Sequence, residues 1–93
     1  MIRTDNLLKK VGFYATLEIL NIQGRAITLR TFYERLLKKG LYYNAFIRIK
    51  ETMKEKKIIE IYYEKTNRTK RIRLTRKGMT IKQILNSLLE VME

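Results

Sequence analysis

Hydrophobic and polar positions repeat along this chain with two periods, and the elements follow from them. Residues 6–22 carry apolar side chains at helical spacing. Leu8, Val11, Ala15, Ile19 and Ile22 form one stripe, and Leu7, Phe13, Tyr14, Leu17 and Leu20 fill much of the remaining surface. Asp5 or Asn6 is the expected cap and Gln23-Gly24 the expected stop. Arg25-Ala26-Ile27 supplies a brief extended segment before a second helix capped by Thr28 or Thr31. Thr31 and Glu34 have capping-box spacing. Phe32, Leu36 and Leu37 are its expected inward positions, Lys38-Lys39 suit the negative end of the helix dipole, and Gly40 closes it. A third helix is expected over 42–57, with Leu41, Ala45, Phe46, Ile49 and Met53 inward. Two helices split by a short glycine-containing turn are the skeleton of a helix-turn-helix.

From Ile58 the period changes to two. Ile59, Ile61 and Tyr63 alternate with Glu60, Tyr62 and Glu64; later Ile72 and Leu74 alternate with Arg71, Arg73 and Thr75. A hairpin centred on Asn67-Arg68 sets Tyr63 opposite Ile72 and Ile61 opposite Leu74 on an inner face. Glu64 then meets Arg71 and Tyr62 meets Arg73 outside. Asn accepts a positive φ in a tight turn and Arg does so poorly, which leaves a looser loop open. Arg76-Lys77-Gly78 turns the chain into a last helix, 79–92, where Ile81, Ile84, Leu85, Leu88, Leu89 and Met92 keep helical spacing. The pattern predicts one domain, 1–93, mainly α with a small β-hairpin (α+β), ordered helix, strand, helix, helix, strand, loop, strand, helix.

Composition narrows the function. Twenty-one Lys and Arg against nine Asp and Glu leave +12, which favours a polyanionic partner. No cysteine or histidine is present, so disulfides, thiolate metal sites and the usual general base are excluded. The glycines are scattered, no tight acidic pair is evident, and neither an enzyme nor a cofactor or metal is expected. No apolar run is long enough for a signal peptide or membrane span, so a cytoplasmic, nucleoid-associated protein is expected. Richness in Ile, Lys, Glu and Tyr fits a thermophilic source.

Two segments carry a resemblance: Met53-Lys-Glu-Lys-Lys-Ile-Ile59 and Ile72-Arg-Leu-Thr-Arg-Lys-Gly78. With the element order they resemble winged helix-turn-helix regulators of the MarR and PadR type, many of them small archaeal, viral or plasmid proteins. The second segment matches that family's Leu-Thr-x-Lys-Gly signature between strand and helix, and the resemblance runs from about Ile19 to Met92. One position departs: Lys57 stands where the family usually has glycine before the first wing strand, so a differently shaped corner is expected there. The resemblance implies a homodimeric, sequence-specific regulator of double-stranded DNA, a repressor, with helix 42–57 in the major groove and wing 65–71 on minor groove or phosphate.

On that helix the outward residues are Tyr43, Asn44, Ile47, Arg48, Lys50, Glu51 and Lys54. Arg48 suits a guanine edge, Asn44 an adenine, and Ile47 a thymine methyl. Tyr42 or Tyr43 suits a phosphate. The competing reading is a solvated helix in which Arg48 pairs with Glu51. Seven cations crowd thirteen residues at Lys65, Arg68, Lys70, Arg71, Arg73, Arg76 and Lys77, with no acid among them. Edge protection against aggregation accounts for one or two of these charges, not seven. Arg68 is the candidate for the minor groove and Lys65, Lys70 and Arg71 for phosphate, with Asn67 and Thr69 completing the loop. Glu64 is expected to occupy part of Arg71, and Arg73 to stack on Tyr62. Arg30, Arg35, Lys38 and Lys39 are candidate phosphate clamps, whereas Lys9 and Lys10 read as ordinary surface. Tyr14, Tyr33 and Tyr63 are expected to pack.

The end helices hold more apolar surface than one small core absorbs, which predicts a homodimer through Leu7, Tyr14, Leu85, Leu88, Leu89 and Met92. Residues 83–93 contain no Lys or Arg, as suits an end that meets protein. Two other functions stay open: a DNA-coating protein of low sequence preference, and a winged helix for RNA or protein.

Overall fold

The N-terminal apolar stretch forms two helices, not one. The structure, a computed structural model, describes residues 4–20 and 25–93. Ile22 and the stop expected at Gln23-Gly24 lie outside the described residues, as does the side chain of Asp5. Helix α1 (Thr4–Leu8) ends at Lys9-Lys10, and α2 (Val11–Leu20) starts a new phase. The break overturns the expected stripe: Leu8 and Val11 are exposed, while Leu7, Phe13, Ala15, Leu17, Ile19 and Leu20 are buried. Gly12 lets α2 approach the third long helix closely. A Cβ on it would lie 2.6 Å from the Ala45 carbonyl oxygen.

Strand β1 (Ile27–Thr28) leads directly into helix α3 (Leu29–Lys38). Thr28 caps α3, accepting from the Thr31 amide at 3.1 Å, and Thr31 lies inside the helix. The capping box expected at Thr31-Glu34 therefore does not form. Phe32 and Leu36 are buried, but Leu37 is 58% exposed, which corrects its inward assignment. Gly40 takes φ +82° and stops the helix: its amide donates to Leu37 O and that of Leu41 to Leu36 O.

Helix α4 (Asn44–Glu55) follows four residues later and buries Phe46, Ile49, Thr52 and Met53. Phe32 meets Phe46 edge-on at 4.7 Å, joining α3 to α4 in the core. At its end Lys57 adopts φ +59°, with Lys57 N–H donating to Lys54 O and Ile58 N–H to Met53 O. These are the bonds that Gly40 makes after α3. A lysine thus holds at the end of α4 the left-handed stop that glycine holds after α3.

Strands β2 (Ile59–Glu64) and β3 (Thr69–Leu74) form the hairpin, and β1 joins it, giving a three-stranded antiparallel sheet ordered β1-β3-β2. Ile61 pairs with Ile72, Ile59 with Leu74, Glu60 with Arg73 and Tyr62 with Arg71. The predicted register is thus displaced by two residues. A shift of two keeps each side chain on its face, so Ile59, Ile72 and Leu74 still enter the core. Tyr63, pushed beyond the core opposite Lys70, is 56% exposed instead of packed.

Helix α5 (Arg76–Met92) begins three residues before its predicted start. Thr75 is its cap: the hydroxyl accepts from Gly78 N at 3.0 Å and donates to Lys57 O at 2.5 Å. Gly78 lies inside α5, because a Cβ there would fall 2.2 Å from the Ile58 carbonyl oxygen. Ile81 and Leu85 pack against the core, and beyond them α5 leaves it. Ile84, Leu88, Leu89, Val91 and Met92 are all more than half exposed, on a molecule measuring 44 × 26 × 26 Å. Among the described residues no helix is long and apolar enough to cross a membrane.

Candidate nucleic-acid interface

The seven clustered cations of the sequence separate into three groups once folded. Lys65, Arg68 and Lys70 stand exposed at or beside the β2–β3 loop. Among the described residues none of the three lies within ion-pair distance of a carboxylate. Arg71 and Arg73 point across the sheet to acids. Arg71 Nε lies 2.8 Å from Glu64 Oε2 and is sunk from water, without a well-aligned hydrogen bond. Arg73 donates to Glu60 at 2.7 Å and rests 5.8 Å from the Tyr62 ring centre. Arg76 and Lys77 form a third group at the hairpin's other end, on the first turn of α5.

The loop spans residues 65–68, two longer than the tight turn centred on Asn67-Arg68. Arg68 takes φ +50° at its last position, and Asn67 donates its side-chain amide to Glu64. Asn67 thereby braces the loop, and Thr69 is half-buried as the first residue of β3. Of the loop candidates, Lys65, Arg68 and Lys70 remain as unpaired charges and Arg71 does not.

Helix α4 presents Asn44, Ile47, Arg48, Glu51 and Lys54 outward, with Lys50 half-buried. Glu51 lies 3.9 Å from Lys50 and 3.7 Å from Lys54, not beside Arg48. Arg48 thus faces solvent without a carboxylate within ion-pair distance among the described residues. No side chain caps the start of α4, in contrast to the threonines on α3 and α5. Its first turn holds no acid, and the Ala45 and Phe46 amides donate instead to the carbonyls of Tyr42 and Tyr43 at 3.0 Å. Tyr42 is 75% exposed there, while Tyr43 is half-exposed and leans on Tyr33 at 5.6 Å. Burial pushes the Tyr33 phenol above its ordinary pKa, with Tyr43 adding to the shift.

The candidate clamps on α3 divide similarly. Arg30 lies 3.4 Å from Glu34. Lys39 lies 3.0 Å from Glu18, whose carboxyl it holds below the ordinary range through the hydrogen bond first and charge second. Arg35 is half-buried and Lys38 exposed, both unpaired among the described residues. Of the proposed interface residues, Leu88, Leu89 and Met92 are exposed and Leu85 is partly buried. Tyr14 is 41% exposed, with its hydroxyl donating to Leu8 O. Leu7 is 2% exposed and belongs to the chain's own core, which removes it from any surface.

Sequence reasoning missed Thr75 as a cap and the left-handed Lys57. A threonine directly before an apolar helical repeat was the available signal for the first; the second has none in a single sequence.

No protein-family model matches the chain, and no curated protein gives a significant match. Among solved structures it is similar to AF1382 from Archaeoglobus fulgidus, with 24% identity and a TM-score of 0.56 over 99% of this chain and 92% of that one. At that identity the likeness shows the fold alone: an α+β unit with, among the described residues, five helices and a three-stranded antiparallel sheet.

Proposed function

We propose that the protein is a winged-helix module that binds double-stranded DNA as a homodimeric regulator. In this reading α4 is the recognition helix and the β2–β3 loop the wing. Arg68 carries the argument. A non-glycine residue in the left-handed region costs roughly 1–2 kcal/mol, and glycine would occupy that place unstrained. An arginine kept there is best explained by its side chain, which projects from a loop tip between two other unpaired cations. Lys65, Arg68 and Lys70 would grip phosphate or the minor groove, and Tyr42, exposed beside the start of α4, would reach phosphate through its hydroxyl. Arg48, Asn44 and Ile47 would read base edges.

The bare end of α5 supports a second copy as the partner. Five large apolar side chains there are exposed, each forfeiting roughly 1.5–3 kcal/mol of burial. Residues 83–93 carry two Glu and no cation, so a polyanion is a poor occupant of that end. A two-fold pair would set its recognition helices about 34 Å apart on a palindromic site. The test is selection of bound fragments from random duplex DNA, read with the protein's mass in solution. A regulator enriches one palindromic sequence and runs at twice the chain mass. Uniform recovery of all fragments would instead favour a DNA-coating role, and recovery of none would remove DNA from the account.

A further inference from the structure

The corner where α4, β2 and α5 meet carries charge that the wing and recognition helix do not use. Lys57 and Arg76 are exposed there, Lys56 is half-buried, and the exposed Lys77 donates its ammonium to Lys56 O at 2.8 Å. Thr75 ties the corner from the other side through Lys57 O and Ile58 O. The four cations are therefore held on one rigid junction. Nearby acids are largely spent: Glu60 on Arg73 and Glu51 beside Lys54. Glu55 remains unpaired among the described residues, so four cations less one acid leave about +3 locally.

Position decides what this charge can touch. The six residues of β2 reach about 20 Å from the corner to the loop, and the twelve of α4 about 18 Å to its uncapped start. A straight duplex lying against the loop and the start of α4 has both contacts a helix-length away from the corner. We propose that Lys56, Lys57, Arg76 and Lys77 bind the phosphates of a second duplex, so that the protein bridges two DNA segments. The inference rests on the DNA-binding reading above and adds a second surface to it.

The test uses a bead-tethered duplex and a fluorescent free duplex of the same sequence. Full-length protein should retain the free duplex on the beads. Lys56→Ala with Arg76→Ala should cut retention at least tenfold, while affinity for one duplex, read by anisotropy, changes by less than about threefold. The charge-preserving pair Lys56→Arg with Arg76→Lys should restore retention, which separates charge from folding. Equal retention by the alanine variant overturns the proposal and assigns bridging to the two faces of a dimer. Tight single-duplex binding with no retention overturns it too. So does loss, in the alanine variant, of binding to phosphatidylserine vesicles by a protein that never bridges DNA. A wild-type chain that binds no duplex in anisotropy brings down the DNA-binding reading itself and this inference with it.

Discussion

Lys57 and Arg68 both sit at positive φ, one ending a helix and one at a loop tip. Lys57 closes α4 with the same backbone bonds that Gly40 makes after α3. Lys57→Gly should therefore stabilise the fold by about 0.5–1 kcal/mol, relief of left-handed strain outweighing the glycine's entropy. Arg68→Gly relaxes the loop likewise, yet deletes the proposed phosphate contact. Thermal or urea unfolding should show a gain of similar size, while duplex affinity falls on every sequence and the salt slope drops by about 0.9. A variant that gained stability and kept its affinity would make Arg68 a loop residue only. Glu18 offers a smaller check. Its folded pKa is lowered by Lys39, so the pair's contribution is present above the unfolded carboxylate pKa and lost as pH falls through the folded value. The carboxylate is well exposed, so Glu18→Gln should cost at most about 1 kcal/mol at neutral pH and nothing once both states are protonated. The difference between the two unfolding curves across that acid range measures it.

At the level of elements, periodicity was enough to locate α3, α4, the hairpin and α5, because each buries one face and the alternation records which. The register was less legible. Alternation defines faces, and a shift of two leaves faces unchanged, so only loop length could separate Ile61 opposite Ile72 from Ile61 opposite Leu74. The break at Lys9-Lys10 was hidden for a related reason. The stretch after it, Val11–Leu20, is apolar nearly all round, and a change of phase leaves little trace in such a pattern. The role of Gly78 became visible only in three dimensions, where α5 backs onto the Ile58 carbonyl. Helix propensity alone favours Gly78→Ala by about 1 kcal/mol. The clash is with backbone, however, so the substitution should destabilise by roughly 1–3 kcal/mol in urea unfolding. Stabilisation would mean that α5 can shift without cost. On the exposed side of α5, Leu88→Glu with Leu89→Glu should halve the mass in solution and leave the far-ultraviolet circular dichroism spectrum nearly unchanged.

For the whole molecule, net charge favours a polyanionic partner but does not locate a surface for it. Seven cations adjacent in sequence fold into a tip of Lys65, Arg68 and Lys70, an ion-paired middle of Arg71 and Arg73, and a corner with Arg76 and Lys77. Strand length drives this separation, since a six-residue strand carries charge about 20 Å. The candidate site was therefore legible as a cluster and only in part as a geometry: alternation already brought Glu64 to Arg71, whereas the pairing of Lys39 with Glu18 depends on the fold. The central claim is that the tip touches DNA phosphate. Its most direct measurement is duplex affinity against salt concentration for the wild type and for Lys65→Ala with Arg68→Ala and Lys70→Ala. The account predicts that the triple variant lowers the slope of log affinity on log salt by about 2.7. An unchanged slope would contradict it.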